Sequence, residues 1–332
     1  MDEEQSGGGN GENTMDDYMI GSDRLRVYFR IEEGELSHTR FERMGVMEKI
    51  VLDEKHTFCS VEQTDPRLKT CYGVGLIGEY VWDEPALNAK KGEKFPKLSV
   101  GLLTQKKDNR AFRFMEKYDV DKYDMSYTFD KNRAEFIMEP KECMGIAVRM
   151  KKTVTVEENV IIAHMSVENV GEKEIDAYEY QHNFVNIDNI KLGPGYELYM
   201  PFYKDEGNFD KCVRENYKPV KPHFLVYILK YVKKVKWFEG FMKMKNGTVR
   251  WLKPMNGYTF WTITDNIDSQ KGLYWRLSHK DSKASVEEHF SFVPVKVVNW
   301  GMEHCVCTEA YAPVKVKPGQ TCEWERKWIF ND

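Results

Sequence analysis

From Leu25 onward, apolar and polar positions alternate with a period of two, the pattern of strands with one covered face. Leu25, Val27 and Phe29 alternate with Arg24, Arg26 and Tyr28. Similar stretches predict strands at 46–52, 56–61, 112–118, 124–129 and 133–139. The plainest hairpin joins 150–156 to 160–169 through the polar turn Glu157-Glu158-Asn159, and Gly171 separates it from a strand at 175–180. In the last third, 257–264, 272–278, 286–293, 304–311 and 322–330 continue the pattern, with Pro318-Gly319 as a final turn. Many short strands with a turn signal at intervals of about ten residues predict an all-β sandwich or barrel.

Two segments break this rhythm. Between 71 and 103, GVGLIGEY and FPKLSVGLLT flank a polar stretch, which suggests closely packed backbone beside a long loop. The segment 222–241 carries apolar residues at helical offsets but is rich in Val and Tyr, so helix and strand both remain open. It lies within a basic stretch, 211–253, that holds twelve Lys or Arg against two Glu. This stretch is expected to be a small basic insertion with a solvated face; binding of a phosphate or an acidic partner is the alternative. The acidic, glycine-rich start, 1–20, cannot bury apolar surface and is expected to be a disordered tail, leaving 21–332 as one domain.

Composition narrows the class. The chain has 332 residues, 41% of them hydrophobic and 31% charged, enough for a large core. Its formal net charge of -4 gives no reason to expect nucleic acid or an acidic membrane surface as a partner. Seven cysteines without a CxxC pattern argue against a zinc or iron–sulfur site and for a reducing compartment. There is no basic start followed by an apolar run, and no apolar stretch of membrane-spanning length, so a cytoplasmic location is expected. Monomer and homodimer both remain open.

The segment Tyr178-Glu179-Tyr180-Gln181-His182-Asn183-Phe184 is the best candidate for chemistry. Alternation puts Tyr180, His182 and Phe184 on one face and Glu179, Gln181 and Asn183 on the other. A histidine among aromatic rings fits a pocket acid with sugar-stacking neighbours, or a satisfied core histidine. Glu309, shortly before Pro313, fits a cleft base or a solvated end of a strand; partial burial would strengthen it as a base. Glu79 and Lys97 are further candidates.

The common signatures are missing: no GxxxxGK[ST], no HExxH and no GxSxG. GVGLIG at 73–78 meets the spacing of a dinucleotide fingerprint, but no helix and parallel strand follow it. His279 and His289 lack a third ligand and are expected to be hydrogen-bonded or solvated. No cofactor or metal is expected.

With EYQHNFVNID, then KLGPGYEL, then CTEAYAPVKVKPGQTCEWERKWIF, the chain resembles bacterial proteins of the galactose mutarotase-like (aldose 1-epimerase-like) superfamily. The resemblance runs from about 40 to 332 and implies a β-supersandwich of large antiparallel sheets with an open saccharide cleft. It implies interconversion of the α and β anomers of a sugar or modified sugar, without metal or redox cofactor. Glu309 would take the proton of the anomeric hydroxyl and His182 would give one to the ring oxygen, the two reaching opposite sides of one ring. Tyr180, Asn183, Glu79, Lys97 and Asp265 would contact substrate. Typical members carry His-Gly-Gly where this chain has Lys97-Leu98-Ser99, so a second pocket histidine is missing or replaced by Lys97. The alternatives are another carbohydrate-processing enzyme, a lyase or hydrolase, or a carbohydrate-binding protein without catalysis.

Overall fold

The period-two segments fold as strands, and in the computed structural model they assemble into two large antiparallel sheets and one of three strands. The structure describes residues 18–32, 38–64, 73–204, 213–215 (backbone only) and 240–332. The first large sheet runs, edge to edge, Met19–Gly21, Leu25–Arg30, Val46–Leu52, Leu76–Val81, Ile175–Asn183, Cys305–Val316, Val297–Met302, Tyr258–Thr264 and Val213–Glu215, with His56–Thr57 beside Val46–Leu52. The second runs Met242–Lys245, Thr248–Trp251, Tyr196–Tyr199, Tyr274–His279, Ser285–Phe290, Thr321–Asn331, Val160–Asn169, Val148–Glu157, Arg133–Met138 and Met125–Phe129. The small sheet is Lys94–Lys97, Gly101–Thr104 and Val120–Lys122. An α-helix, Asp83–Asn88, lies in the polar stretch after GVGLIGEY.

The core fills the space between the large sheets. Val27, Leu76, Ala177 and Ala310 from the first join Phe136, Val154, Ala163 and Trp328 from the second in a single buried cluster. Strand alternation decides the remainder. On the strand Ile175–Asn183 the odd-numbered residues enter this core, and on Cys305–Val316 the even-numbered ones do. The opposite residues of both strands face away from the second sheet, and these build the site.

The all-β expectation holds, with local departures. The stretch 112–118 forms no strand: the Tyr118 hydroxyl accepts from the Arg113 N–H at 3.1 Å, and its ring stacks on Phe112 at 5.4 Å, so the chain turns back on itself. At 56–61 only His56–Thr57 pairs as a strand, followed by single bridges at Cys59 and Val61. Val297–Met302 has no alternation to announce it, because both of its faces are largely covered. The glycines of GVGLIG serve packing: a Cβ on Gly75, at φ +59°, would meet the Met47 carbonyl oxygen at 2.1 Å. The described ends of the basic stretch join the sheets, Val213–Glu215 beside Tyr258–Thr264 and Met242–Lys245 beside Thr248–Trp251. Most of 222–241 lies outside the described residues. Among the described residues no helix is long and apolar enough to cross a membrane.

Candidate active site

Register brings the candidate residues together. Tyr180 faces Tyr311 on one side and Glu79 on the other. Two residues further along, His182 meets Glu309, whose own partner on the next strand is Val298. Val298 in turn faces Ile263, and in the adjacent row Trp300 faces Trp261. Residues more than a hundred positions apart thus form adjacent rows on one face of the first sheet.

A cleft of about 370 Å³ opens over these rows, with Arg40, Glu62, Lys296, Trp261, Trp300 and Glu309 among its lining residues. A second hollow of about 340 Å³ lies by Tyr199, Pro201 and Lys271, and no carboxylate, histidine or thiol lines it. Of these two, only the first is lined by carboxylates.

His182 is 1% exposed and does not line the cleft; it lies directly beneath it. Its ring stacks on Phe184 at 5.3 Å and takes the edge of Phe41 at 5.0 Å. Nε2 donates to Glu79 Oε2 at 3.0 Å. Nδ1 lies 2.7 Å from Glu309 Oε1, off the line of a good hydrogen bond, so this contact is mainly an ion pair. Burial alone would lower the His182 pKa, but the Glu309 and Glu79 carboxylates outweigh it and raise the pKa above its ordinary value. The charged form of the ring is thereby favoured between the two carboxylates.

Glu79 gathers the other cations. Its Oε2 accepts from Arg40 Nε at 2.7 Å and from the Tyr180 hydroxyl at 2.6 Å, as well as from His182. Burial penalises its charge, yet Arg40, His182 and Lys97 hold its carboxyl far below the usual carboxylate range. Arg40 also donates to Glu62 Oε1 at 2.7 Å. Tyr180 stacks on Tyr311 with ring centres 4.2 Å apart, and its hydroxyl is driven well above its ordinary pKa by burial and by Glu79.

Glu309 is the carboxylate of this cluster that lines the cleft. Its Oε1 accepts from Trp300 Nε1 at 2.8 Å and from the Cys307 thiol at 3.3 Å, besides facing His182. No hydrogen bond to Oε2 is formed by the described residues, and Glu309 lines the cleft. His182, Cys307 and Glu309 bring three potential metal ligands within 4.8 Å of one another. Burial and Glu309 keep the Cys307 thiol protonated, however, and it serves as a donor.

The other expected contacts fall elsewhere. Lys97 is 6% exposed; it donates to the Tyr80 carbonyl, lies over the Phe112 ring at 4.5 Å and stands 3.8 Å from Glu79, so it does not line the cleft. Asn183 occupies the opposite face, as alternation requires, and bonds Glu288 at 3.0 Å, the Thr308 carbonyl at 2.7 Å and Trp328 at 3.0 Å. Asp265 is exposed beyond the end of Tyr258–Thr264, outside the cleft lining. His182 and Glu309 touch each other, where the sequence reading set them on opposite sides of a sugar ring. His279 and His289 are held by Tyr196 and by Glu287, in the second sheet. Arg40, Lys296 and Trp261 were not anticipated. For Trp261 alternation is misleading, because Trp261 and Ile263 share the exposed face while Phe260, Thr262 and Thr264 are buried.

This arrangement defines a class: a β-supersandwich with the galactose mutarotase-like fold, carrying a buried acid–base cluster on one sheet face. Solved structures with that architecture align over almost the whole chain. A galactose mutarotase related enzyme from Lactobacillus acidophilus is 11% identical, with 95% of this chain and 97% of that one covered and a TM-score of 0.51. A galactose mutarotase-like protein from Clostridium acetobutylicum is 10% identical, with 97% of each covered and a TM-score of 0.51. A protein from Synechocystis sp. is 10% identical, with 95% of each covered and a TM-score of 0.54. No family model and no curated protein matches the sequence.

Proposed function

We propose that the protein is an isomerase of the aldose 1-epimerase type, which interconverts the α and β anomers of a sugar. The observation that carries this reading is Glu309, fixed at Oε1 by Trp300 and Cys307, charge-balanced by His182, and lining the cleft with no hydrogen bond to Oε2 from the described residues. Glu309 takes the proton of the anomeric hydroxyl. The exocyclic oxygen becomes the carbonyl oxygen as the bond between the anomeric carbon and the ring oxygen breaks. Both oxygens are bonded to the anomeric carbon, so the same carboxyl delivers its proton to the ring oxygen. Rotation about the C1–C2 bond followed by reversal closes the ring on the other face. His182 acts through Glu309, as the positive charge that compensates the carboxylate. It is a positioning residue.

Hydrolysis has less support, because it needs a second free carboxyl group. Glu62, the other cleft carboxylate, has both oxygens engaged, Oε1 by Arg40 and Oε2 by the Gly73 N–H at 3.2 Å. The test is magnetisation-transfer NMR on equilibrated glucose, galactose and galacturonate, with protein against buffer. Accelerated α–β exchange of any of them is the expected result. Saturable sugar binding with exchange at the buffer rate throughout would leave a binding protein instead.

A further inference from the structure

The cleft continues beyond Glu309 across two more strands, and what it presents there is apolar. Trp261 is 44% exposed and Ile263 42% exposed, both on the outer face of Tyr258–Thr264. They line the same cleft as Glu309, and their neighbours on the intervening strand, Trp300 and Val298, line it too. Adjacent strands lie about 4.8 Å apart, so this shelf reaches roughly 10 Å sideways from the Glu309 strand. That exceeds what a single pyranose seated at Glu309 would cover. The cleft volume of about 370 Å³ lies toward the lower end of the range of about 300–1,000 Å³ usual for small-molecule sites, so the length of the shelf, not the volume, argues for a second ring. The flat C–H face of a pyranose is apolar and packs on indole rings, whereas its rim hydroxyls need polar partners. Gln63 and Lys296 supply such partners at the edge of the cleft.

We infer that the substrate is the reducing end of a disaccharide or longer saccharide, its free anomeric carbon at Glu309 and its second ring lying over Trp261. The inference rests on the isomerase reading for the first ring only; the shelf can be tested without turnover. Tryptophan-fluorescence titrations with maltose, cellobiose and lactose, against glucose and galactose, measure binding. Exchange NMR on the same sugars measures turnover. At least one disaccharide should bind about tenfold more tightly than its monosaccharide units, equivalent to ~1.4 kcal/mol. Trp261→Ala should bring the two affinities together, and Trp261→Phe, which keeps an aromatic surface, should retain most of the difference. Equal affinities in the unaltered protein, no binding of any sugar, or a disaccharide advantage that survives Trp261→Ala would each overturn the inference. Tighter disaccharide binding that depends on Trp261, without accelerated exchange, would uphold the shelf and reject isomerisation. Exchange on monosaccharides with no disaccharide advantage would do the reverse.

Discussion

One strand, Ile175–Asn183, carries charged clusters on both of its faces, and the two differ in how they are closed. On the inner face, Glu179 meets Arg326 at 2.7 Å, and Arg326 meets Glu288 at 2.7 Å. The indoles of Trp324 and Trp275 donate to these carboxylates, and Trp328 donates to Asn183. Nearby, Lys152 meets Glu42 at 2.6 Å, also fully buried. On the outer face, Glu79, His182 and Glu309 alternate in charge in a similar way, but Glu309 lines the cleft. The inner cluster spends its donors on both carboxylates and lines neither of the two hollows. The outer one keeps a base available while supplying its counter-charge from beneath. What separates the two faces is that a carboxylate of the outer one, Glu309, lines a cleft.

Removing the inner cation should produce the largest effect on stability. Arg326→Met leaves two buried carboxylates without their counter-ion, and such a loss typically costs about 3–5 kcal/mol. Urea unfolding at neutral pH reads this directly. A loss below about 1 kcal/mol would mean that the indoles suffice and that the inner cluster is not held by charge.

The outer cluster should respond in activity instead. Glu309→Gln keeps the shape and removes the base, so exchange should fall by about 10²–10⁴-fold while saturable sugar binding remains. Unfolding free energy should fall by less than in Arg326→Met, since Glu79 still balances His182 and Oε1 can still accept from Trp300. Full exchange activity in this variant would end the assignment of Glu309.

The two faces were not equally legible in the sequence. Period-two alternation at 178–184 separated Tyr180, His182 and Phe184 from Glu179, Gln181 and Asn183, and the structure keeps that partition. Alternation also marked most strands, because it follows directly from one covered face. It could not mark Val297–Met302, which is covered on both sides, nor tell which strands lie side by side. Arg40 reaches Glu79 from a loop thirty-nine positions away, and no local spacing predicts such a contact. Lys97 illustrates the converse. A lysine in a plausible motif was read as a substrate contact, but its ammonium is occupied by the Tyr80 carbonyl and the Phe112 ring. Asn183 was assigned to substrate although its own alternation already put it on the inner face.

A smaller effect separates positioning from direct proton transfer. If His182 only compensates Glu309, His182→Gln loses one charge-assisted contact of about 1.5 kcal/mol, or about tenfold in exchange. The pH profile carries the decisive difference. With the His182 pKa raised, exchange in the unaltered protein should decline on the alkaline side, as the imidazolium deprotonates above its ordinary value of 6.5. The Gln variant should lose that decline. A loss as deep as that of Glu309→Gln would return His182 to the role of proton donor.

The smallest effect, and the sharpest test of the comparison, is the pH dependence of stability. Glu79 titrates below its ordinary value of 4.5, so its contribution is complete above 4.5 and is lost as pH falls toward its folded value. His182 titrates above 6.5, so its contribution is complete below 6.5 and is lost as pH rises through its folded value. Glu179 and Glu288 are raised by burial more than Arg326 lowers them, so the inner cluster favours the folded state most below 4.5 and less as pH rises. The clusters therefore pull in opposite directions on the acid side. Unfolding free energies measured across this range for the unaltered protein and for Glu79→Gln should differ most between 4.5 and 6.5, and the difference should shrink below 4.5. His182→Gln should differ from the unaltered protein chiefly below 6.5 and converge with it in alkali. A constant offset at every pH would show that these substitutions act by packing alone, and the charge reading of the outer face would fail.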